Sequence, residues 1–335
     1  MYKLSNIIKK GLNDEGLNHD EIVYLLNYPE NSREAYEIIT AGALLSRKIS
    51  KNIAEIHGQF AINLSPCPAD CKFCSFAPSN KIFTEPKEIS IEEAINYAKQ
   101  FEANSECAAI YIMTTANYDI GKLVEYTKEI KKYLKPETIL IANIGDQSLN
   151  NAKKLKDAGF TGVYHAVRMG EGKDNRLSKE GRLNSINNFK EAGLLVGTCV
   201  EPIGSEHSNE EIADKILIAA GIEPVFSGAM RRINIPGTEL SKYPMVSELR
   251  MAQIVAITRL ATKHSVVGNC THEPNGIGLF AGANIIWAES GANPRDTKEK
   301  TEEGRGFSVS RCADLLEEYG WDVLKGSSQL FCHDK

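Results

Sequence analysis

Three cysteines lie close together in the sequence, at Cys67, Cys71 and Cys74, and they follow an alternating apolar run at 59–64. The alternation predicts a β-strand, so the three thiols lie on the loop that leaves it. Soft thiolate ligands are typical of zinc and iron–sulfur sites. A zinc site usually adds a second short Cys or His pair, and none follows here. The pattern therefore favours a [4Fe–4S] cluster with one iron free of protein ligands, and a structural zinc or iron clip is the alternative.

The spacing Cys-x3-Cys-x-Phe-Cys, with Phe73 before the last cysteine, resembles the signature of the radical S-adenosylmethionine (SAM) enzymes. The resemblance implies that SAM chelates the open iron through its amino and carboxylate groups. It also implies that one-electron reduction splits SAM into methionine and a 5′-deoxyadenosyl radical. The electron would come from a low-potential donor such as a ferredoxin or a flavodoxin.

Composition limits the classes of function. The chain has 335 residues, of which 42% are hydrophobic and 25% charged, as in ordinary globular proteins. A net charge of −5 and the absence of a basic tract argue against a nucleic-acid partner. No apolar run approaches ~18 residues and the first residues lack a signal-peptide core, so we expect a cytoplasmic protein without a membrane partner. Eight cysteines, three on one loop, indicate reduced thiols in an oxygen-poor cell rather than disulfides.

The order of predicted elements indicates an α/β fold. Capping patterns at 17–20 and 31–34 start two helices, which we expect to form a lid at one end of a barrel. Eight β-like runs then alternate with amphipathic helices, which predicts a (β/α)8 TIM-type barrel, with a partial six-stranded barrel as the alternative. The runs are 59–64, 108–114, 138–143, 161–167, 194–201, 226–234, 265–269 and 283–289. The predicted organisation is a helical cap over 1–51, a barrel over 52–292, and a C-terminal extension over 293–335 that packs on the barrel.

Polar side chains follow most of these strands, at the barrel end where chemistry belongs. SAM needs a guanidinium for its carboxylate, a carboxylate or amide for its ribose, and an apolar wall for its adenine. Arg168, Arg176 and Arg182 are the candidates for the carboxylate. The candidate SAM-binding residues are Phe73, Asn117, Arg168, Arg182, Glu201 and Ile203, and the candidate substrate-pocket residues are Tyr111, Asn143, His165, Arg231 and Asn234.

Further segments resemble one branch of the family. Arg182-Leu183 opens a helix as an Arg-Leu pair does in biotin synthase, and 202–204 resembles the adenine wall. The stretches 236–240 and 279–294 are similar to the sixth-strand and final-strand segments of biotin synthase. The branch holds biotin synthase, the hydrogenase-maturation enzyme HydE, HmdB-like enzymes, methylornithine synthase and, more loosely, the two-component lipoyl synthases.

The chain also departs from this branch. Biotin synthase holds a second cluster with cysteines on its second, third and fifth strands and with an arginine. In this chain the corresponding segments of the second and third strands, 110–113 and 139–143, carry no cysteine. His272 aligns best with the position of the arginine. A different auxiliary cluster, held by Cys270, Cys312, Cys332 and His272, is a hypothesis, with Cys199 as an additional ligand. The alternative is that Cys107, Cys199 and Cys312 are small buried apolar groups.

The sequence therefore predicts an enzyme that uses a cofactor radical to remove hydrogen from an unactivated carbon. We expect sulfur insertion of the biotin or lipoyl type, a sulfurtransferase-type reaction that uses an auxiliary Fe–S cluster. Without one, radical rearrangement or carbon transfer in metallocofactor assembly is the better expectation. A non-enzymatic Fe–S scaffold or carrier is the third reading. The polar segment 293–306 is either an exposed connection or a lid over the radical site.

Overall fold

The computed structural model of the chain describes residues 3–64, 66–273 and 275–332. Eight strands form its centre, each hydrogen-bonded to the next in parallel, and the eighth pairs with the first to close a barrel. The predicted (β/α)8 barrel is confirmed, and the six-stranded alternative is excluded. The strands are β1 Ile53–Ala61, β2 Cys107–Met113, β3 Leu140–Asn143, β4 Gly162–Tyr164, β5 Leu195–Gly197, β6 Phe226–Arg231, β7 Gly268–Cys270 and β8 Ile285–Ser290.

Helices surround the barrel, and most of those that follow a strand begin at a serine. The hydroxyls of Ser90, Ser148, Ser178, Ser208, Ser247 and Ser308 each accept a hydrogen bond from the third backbone N–H of a helix. Each such cap contributes about 1 kcal/mol to its helix. The helices are α1 Leu4–Leu12, α2 His19–Leu26, α3 Arg33–Ser50, α4 Ile91–Glu102, α5 Ile120–Lys131, α6 Leu149–Ala158, α7 Lys179–Glu191, α8 Asn209–Gly221, α9 Glu248–Ala261, α10 Asn275–Phe280 and α11 Val309–Glu318.

The N-terminal helices pack over α8 and α9. The reason lies in α9, which is buried on all sides from Met251 to Ala261 and therefore needs a second layer outside it. Gly42 of α3 permits close packing, because a Cβ there would lie 2.6 Å from the Ala256 Cβ. No helix in the described parts of the chain is both long and apolar enough to cross a membrane.

Strand β1 begins at Ile53, earlier than the predicted run at 59–64. Glu55 and His57 obscure the strand pattern because they are charged or polar, yet both are buried inside the barrel. They are satisfied by each other, since His57 Nε2 lies 2.9 Å from Glu55 Oε2, and His57 Nδ1 lies 2.9 Å from the Tyr111 hydroxyl. Internal partners, and not exposure, thus explain the polar residues of this strand.

The barrel interior, below the carboxyl ends of the strands, is filled with aromatic side chains and one imidazole ring. Neighbouring rings lie 5.3–6.5 Å apart between centroids. One of these rings, Phe331, belongs to the C-terminal segment and enters the barrel at the amino-terminal end of the strands, which it plugs. Gly162 leaves room for it, because a Cβ there would lie 2.6 Å from the Phe331 ring. Glu55 accepts hydrogen bonds from the Ser328 hydroxyl and the Gln329 backbone N–H, which fixes the segment. The rings are His57, Tyr111, Tyr164, Phe226, Trp287 and Phe331.

Replacement of Phe331 by alanine should destabilise the fold strongly. The side chain is 1% exposed and packs inside the closed barrel, so its loss leaves a cavity that the strands cannot collapse to fill. We expect the free energy of unfolding to fall by about 3–5 kcal/mol, measured by urea denaturation. Phe280→Ala is the matched control, because Phe280 is 55% exposed and should change stability little. An equal loss in both variants would contradict the plug.

Candidate active site

A large cavity opens at the carboxyl ends of the strands. Its empty volume is about 1230 Å³ when the open mouth is included. The wall nearest the loop after β1 carries Cys67, Cys71 and Cys74, and the deep end carries Tyr164 and Trp287. The cavity therefore extends from the cysteine loop toward the barrel axis.

The cysteine loop is shaped by its own backbone. The Cys67 N–H donates to the Phe76 carbonyl at 2.9 Å, and the Cys74 N–H donates to the Cys71 carbonyl at 3.0 Å. The Asn80 side-chain amide donates to the carbonyls of both Cys71 and Cys74. These bonds define the conformation of the loop.

The sulfur atoms also receive backbone hydrogen bonds. The Ala116 N–H donates to Cys67 Sγ at 3.4 Å, and the Phe76 N–H donates to Cys74 Sγ at 3.3 Å. Burial raises the pKa of the Cys71 thiol to about 11, against the opposing charge of Arg168, and it raises the pKa of Cys74 as well. Metal uptake must therefore displace protons, and the N–H donors stabilise the thiolates that result.

The donor set discriminates between kinds of metal centre. Within residues 3–64, 66–273 and 275–332, no three His, Cys, Asp or Glu side chains are placed to share one metal ion. The three thiols line one cavity. Three cysteine ligands suit a [4Fe–4S] cluster that leaves one iron free of protein ligands.

Arg168 lies beside this loop and carries free donors. Its Nε donates to Glu201 Oε1 at 3.2 Å, and both side chains line the cavity. Burial opposes its charge, but Glu201 and Cys71 raise the pKa of Arg168 above its usual value. Among the described residues nothing accepts a hydrogen bond from its two terminal nitrogens, which are open to the cavity. Arg168 is thus the arginine available to a ligand carboxylate.

Arg182 also lines the cavity, but its guanidinium is already used. Nη1 lies 3.0 Å from Asp146 Oδ1, and Nε donates to Glu171 Oε1 and to the Ala166 carbonyl, each at 3.1 Å. Burial disfavours the Asp146 carboxylate, but its hydrogen bond with His165 and the charge of Arg182 hold the pKa of Asp146 at about 2. This network fixes the wall of the cavity and leaves Arg182 few donors for a ligand.

Three predicted site residues lie outside the cavity wall. His165 is 1% exposed behind Arg182, where burial and then the charge of Arg182 lower the pKa of His165 to about 3. Asn234 donates its amide to the carbonyls of Ser241 and Tyr243 instead of facing a substrate. Arg176 is 71% exposed on its side chain and pairs with Asp70 at 2.8 Å. None of the three therefore offers a group to a ligand in this geometry.

The other predicted residues divide in the same way. Phe73, Asn143, Arg231 and Tyr111 line the cavity, and the Tyr111 ring lies enclosed just beneath the floor. Asn117 and Ile203 do not line it. Asn117 is exposed to solvent, and Ile203 is fully buried in the core.

The four residues nominated for an auxiliary cluster are not brought together. Cys270 lies inside the barrel, with its Sγ 3.9 Å from the Thr198 carbonyl. Cys312 lies on α11 and donates to the Trp287 carbonyl from the outer side of β8. Cys332 is exposed at the end of the described chain, and His272 stacks on Trp287 at the cavity. The strand wall separates these groups because helix α11 packs outside it, so this ligand set is not formed.

A buried ionic network at the ends of β7 and β8 escaped the sequence reasoning. Glu289 Oε1 contacts Arg295 Nη2 at 2.6 Å and Asn293 Nδ2 at 2.6 Å, and its Oε2 contacts Arg305 Nη2 at 2.6 Å. Glu273 adds a contact to Arg305 at 2.7 Å. The rule that polar residues at strand ends face the site applies to Glu289 and could have found it.

Glu289 and its arginines hold the segment after β8 against the cavity, whose lining includes Asn293, Pro294 and Arg295. Burial disfavours the Glu289 carboxylate, but His272, Arg295 and Arg305 hold its pKa well below the usual value. The segment also binds the cysteine loop, since the Ser75 N–H donates to the Pro294 carbonyl at 3.0 Å. The predicted alternative of a lid over the site is thus supported by contacts on both sides.

Comparison with known proteins places this site in a family. Residues 65–218 match the model of the radical SAM superfamily. Biotin synthase of Ehrlichia canis (strain Jake) is 28% identical over 287 residues, which cover 80% of this chain and 85% of that protein. Biotin synthase of Aquifex aeolicus (strain VF5) is 24% identical over 278 residues, covering 80% and 82%. Residues 65–218 therefore carry a radical SAM domain, and the chain as a whole is similar in sequence to biotin synthases at modest identity.

Solved structures share the fold. The FeFe-hydrogenase maturase HydG from Carboxydothermus hydrogenoformans superposes with a TM-score of 0.77 at 17% identity, covering 95% of this chain and 78% of that one. Methylornithine synthase (PylB) superposes with a TM-score of 0.77 at 15% identity, covering 97% and 98%. At these identities the likeness establishes the barrel and leaves the reaction open.

Proposed function

We propose that this protein is a radical SAM enzyme in which Cys67, Cys71 and Cys74 hold a [4Fe–4S] cluster and the same cavity binds SAM and a small-molecule substrate. When bound, the cluster and SAM supply a 5′-deoxyadenosyl radical on reduction by a low-potential donor of the ferredoxin or flavodoxin class. The observation that carries the proposal is the shared cavity. The three thiols line the same cavity as Arg168, which has unused donors, and Glu201, which is partly buried.

The chain's own residues have separate tasks in this proposal. Arg168 would bind the SAM carboxylate through its terminal nitrogens, and Glu201 would orient Arg168 while accepting from an amino or ribose hydroxyl group. Phe73 would pack on the cofactor beside the cysteines. The segment after β8 would exclude water and oxygen from the radical, because Glu289 and the cysteine loop both hold it in place.

We further propose a rearrangement or a carbon transfer rather than sulfur insertion. Sulfur insertion of the biotin type needs a second cluster as sulfur source beside the substrate. Here the space below the cavity is filled by Tyr111, Tyr164, Phe226 and Trp287, and the nominated ligands are separated. The filled interior supports chemistry within a substrate carbon skeleton.

Sulfur insertion remains the second candidate, because the biotin synthases match across most of this chain. Cys199 and Cys270 are both buried within the barrel and would be the nearest thiols for such a centre. A second cluster would have to displace rings beside them. Sulfide in excess of one cluster per chain would favour this candidate.

Reductive cleavage of SAM tests the enzyme assignment. The anaerobically reconstituted protein, mixed with SAM and dithionite, should release 5′-deoxyadenosine and methionine in equal amounts. A protein that binds a cluster but releases neither product would instead be a scaffold or carrier. Chromatography of the acid-quenched mixture makes this measurement.

Replacement of Arg168 by glutamine should weaken SAM binding by about 10–100-fold, because a charge-assisted hydrogen bond to a carboxylate is lost. Equilibrium dialysis with labelled SAM measures the dissociation constant directly. Arg176→Gln is the matched control, since that arginine is exposed and does not line the cavity. Unchanged SAM binding by the Arg168→Gln variant would show that another residue binds the SAM carboxylate.

A further inference from the structure

The deep end of the cavity contains a chain of hydrogen bonds whose direction is fixed at one end. Glu289 is 2% exposed and carries a charge, because the surrounding cations hold its pKa well below the usual value. A carboxylate only accepts hydrogen bonds. Gln59, which lies 3.2 Å away through its Nε2 atom, must therefore turn its amide N–H toward Glu289 and its carbonyl oxygen the other way.

Asn143 continues the chain with the same polarity. The Gln59 carbonyl oxygen is an acceptor, so Asn143 turns its amide nitrogen toward it, at 3.3 Å. This leaves the Asn143 Oδ1 atom at the free end of the chain. No described residue donates to Oδ1, and the atom is not enclosed by protein, while Asn143 itself lines the cavity. The orientation of Asn143 is thus dictated by a carboxylate two residues away along the chain of bonds.

The surroundings of this oxygen are mostly apolar. Met113, Tyr164, Met230 and Trp287 line the same end of the cavity. Among the polar groups nearby, the Thr114 hydroxyl donates to the Thr115 carbonyl and Arg295 Nη2 to Glu289, while the Tyr164 hydroxyl has no partner among the described residues. An acceptor left without a donor in such surroundings costs free energy once water is excluded.

We propose that Asn143 determines substrate specificity in this cavity, its Oδ1 accepting a hydrogen bond from an N–H or O–H group of the substrate. Gln59 and Glu289 are positioning residues, because they fix which atom of the Asn143 amide faces the cavity. The inference rests on the proposed function, in which this end of the cavity holds the substrate. The substrate class is a small, largely apolar molecule with a hydrogen-bond donor.

Tryptophan fluorescence tests the proposal without any radical reaction. The chain has two tryptophans, and only Trp287 lines the cavity, so Trp287→Phe supplies the blank. The probes are benzyl alcohol, toluene and benzoate, titrated into the full-length reconstituted protein. All three contain a benzene ring. Benzyl alcohol can donate a hydrogen bond, toluene has no polar group, and benzoate can only accept hydrogen bonds. Benzyl alcohol should quench Trp287 at about tenfold lower concentration than benzoate, as expected for one hydrogen bond.

Three variants separate this role from a structural one. Asn143→Leu should weaken benzyl alcohol about tenfold and leave toluene unchanged, since only the acceptor is lost. Asn143→Asp keeps an acceptor and should restore benzyl alcohol while excluding benzoate. Gln59→Leu should reduce the discrimination, because Asn143 is then free to turn its amide over.

Tighter binding of benzoate than of benzyl alcohol by the native protein would overturn the proposal and assign the polarity of the floor to Arg295. Equal binding of benzyl alcohol by the native protein and by Asn143→Leu would overturn it too. Measurement of 5′-deoxyadenosine on the same preparations keeps the two proposals apart. Its absence refutes the radical SAM activity, whereas lost discrimination with normal SAM cleavage refutes only the role of Asn143.

Discussion

Joint replacement of Cys67, Cys71 and Cys74 by alanine should leave the protein without iron and without SAM cleavage. The native protein should bind about four irons and four sulfides per chain after anaerobic reconstitution. This is the content of one [4Fe–4S] cluster, in which the three thiols would each bind a different iron. The thiols face one cavity and their loop is held by backbone bonds, so the variant should fold normally while losing the ligands. Iron and sulfide analysis with Mössbauer or EPR spectra measures the outcome, and 5′-deoxyadenosine formation should be lost with the iron.

The matched control is the variant Cys107→Ala/Cys312→Ala. Cys107 is half-buried and Cys312 fully buried, and neither lines the cavity. This variant should keep its iron content and its SAM cleavage. Residual iron in the triple variant that disappears when Cys270 and Cys312 are also replaced would establish a second cluster, contrary to the separation seen here.

Replacement of Glu289 by glutamine should cost the fold about 3–5 kcal/mol of unfolding free energy. The carboxylate contacts Arg295 and Arg305 at 2.6 Å each, and the substitution leaves both cations short of a counter-charge in a buried setting. The segment after β8 should loosen as a consequence. Urea denaturation measures the stability, and faster loss of the reconstituted cluster in air should report the loosened lid.

The pH dependence gives this prediction a sign. The pKa of Glu289 is depressed in the folded protein, so its stabilising effect is complete above the unfolded value of about 4.3. It is lost as the pH falls toward the lower folded value. The stability difference between the native protein and Glu289→Gln should therefore be full at pH 7 and shrink below about pH 4. Glu248→Gln is the control, because Glu248 is 60% exposed and pairs with Arg231 at the surface. A pH-independent difference would show that packing and not charge explains the loss.

The sequence by itself determined the features that depend on local spacing. The three cysteines, the helix start near Ser32 and the alternation of strands and helices could all be predicted, because each rests on residues a few positions apart. The barrel followed from that alternation, since parallel strands joined by crossovers admit few arrangements. The resemblance to the radical SAM enzymes followed from the cysteine spacing, and the match of that superfamily's model to residues 65–218 confirmed it.

The tertiary structure decided which polar residues are free to act. The sequence does not distinguish the three candidate arginines, Arg168, Arg176 and Arg182. In the structure Arg182 is bonded to Asp146 and Glu171, Arg176 is exposed, and Arg168 keeps unused donors. Whether a guanidinium is committed depends on carboxylates far away in the sequence, and local patterns do not encode them.

Long-range packing likewise decided the fate of the second cluster. Cys270 and Cys312 looked alike in the sequence, but β8 runs between the interior that holds one and the helix layer that holds the other. The interior is completed by Phe331, which reaches it only because the chain returns to the amino-terminal end of the barrel. The sequence thus determined the cysteine spacing and the fold, whereas the tertiary structure decided the shape and polarity of the cavity and which of its polar side chains are free, because those depend on contacts between residues distant in the chain.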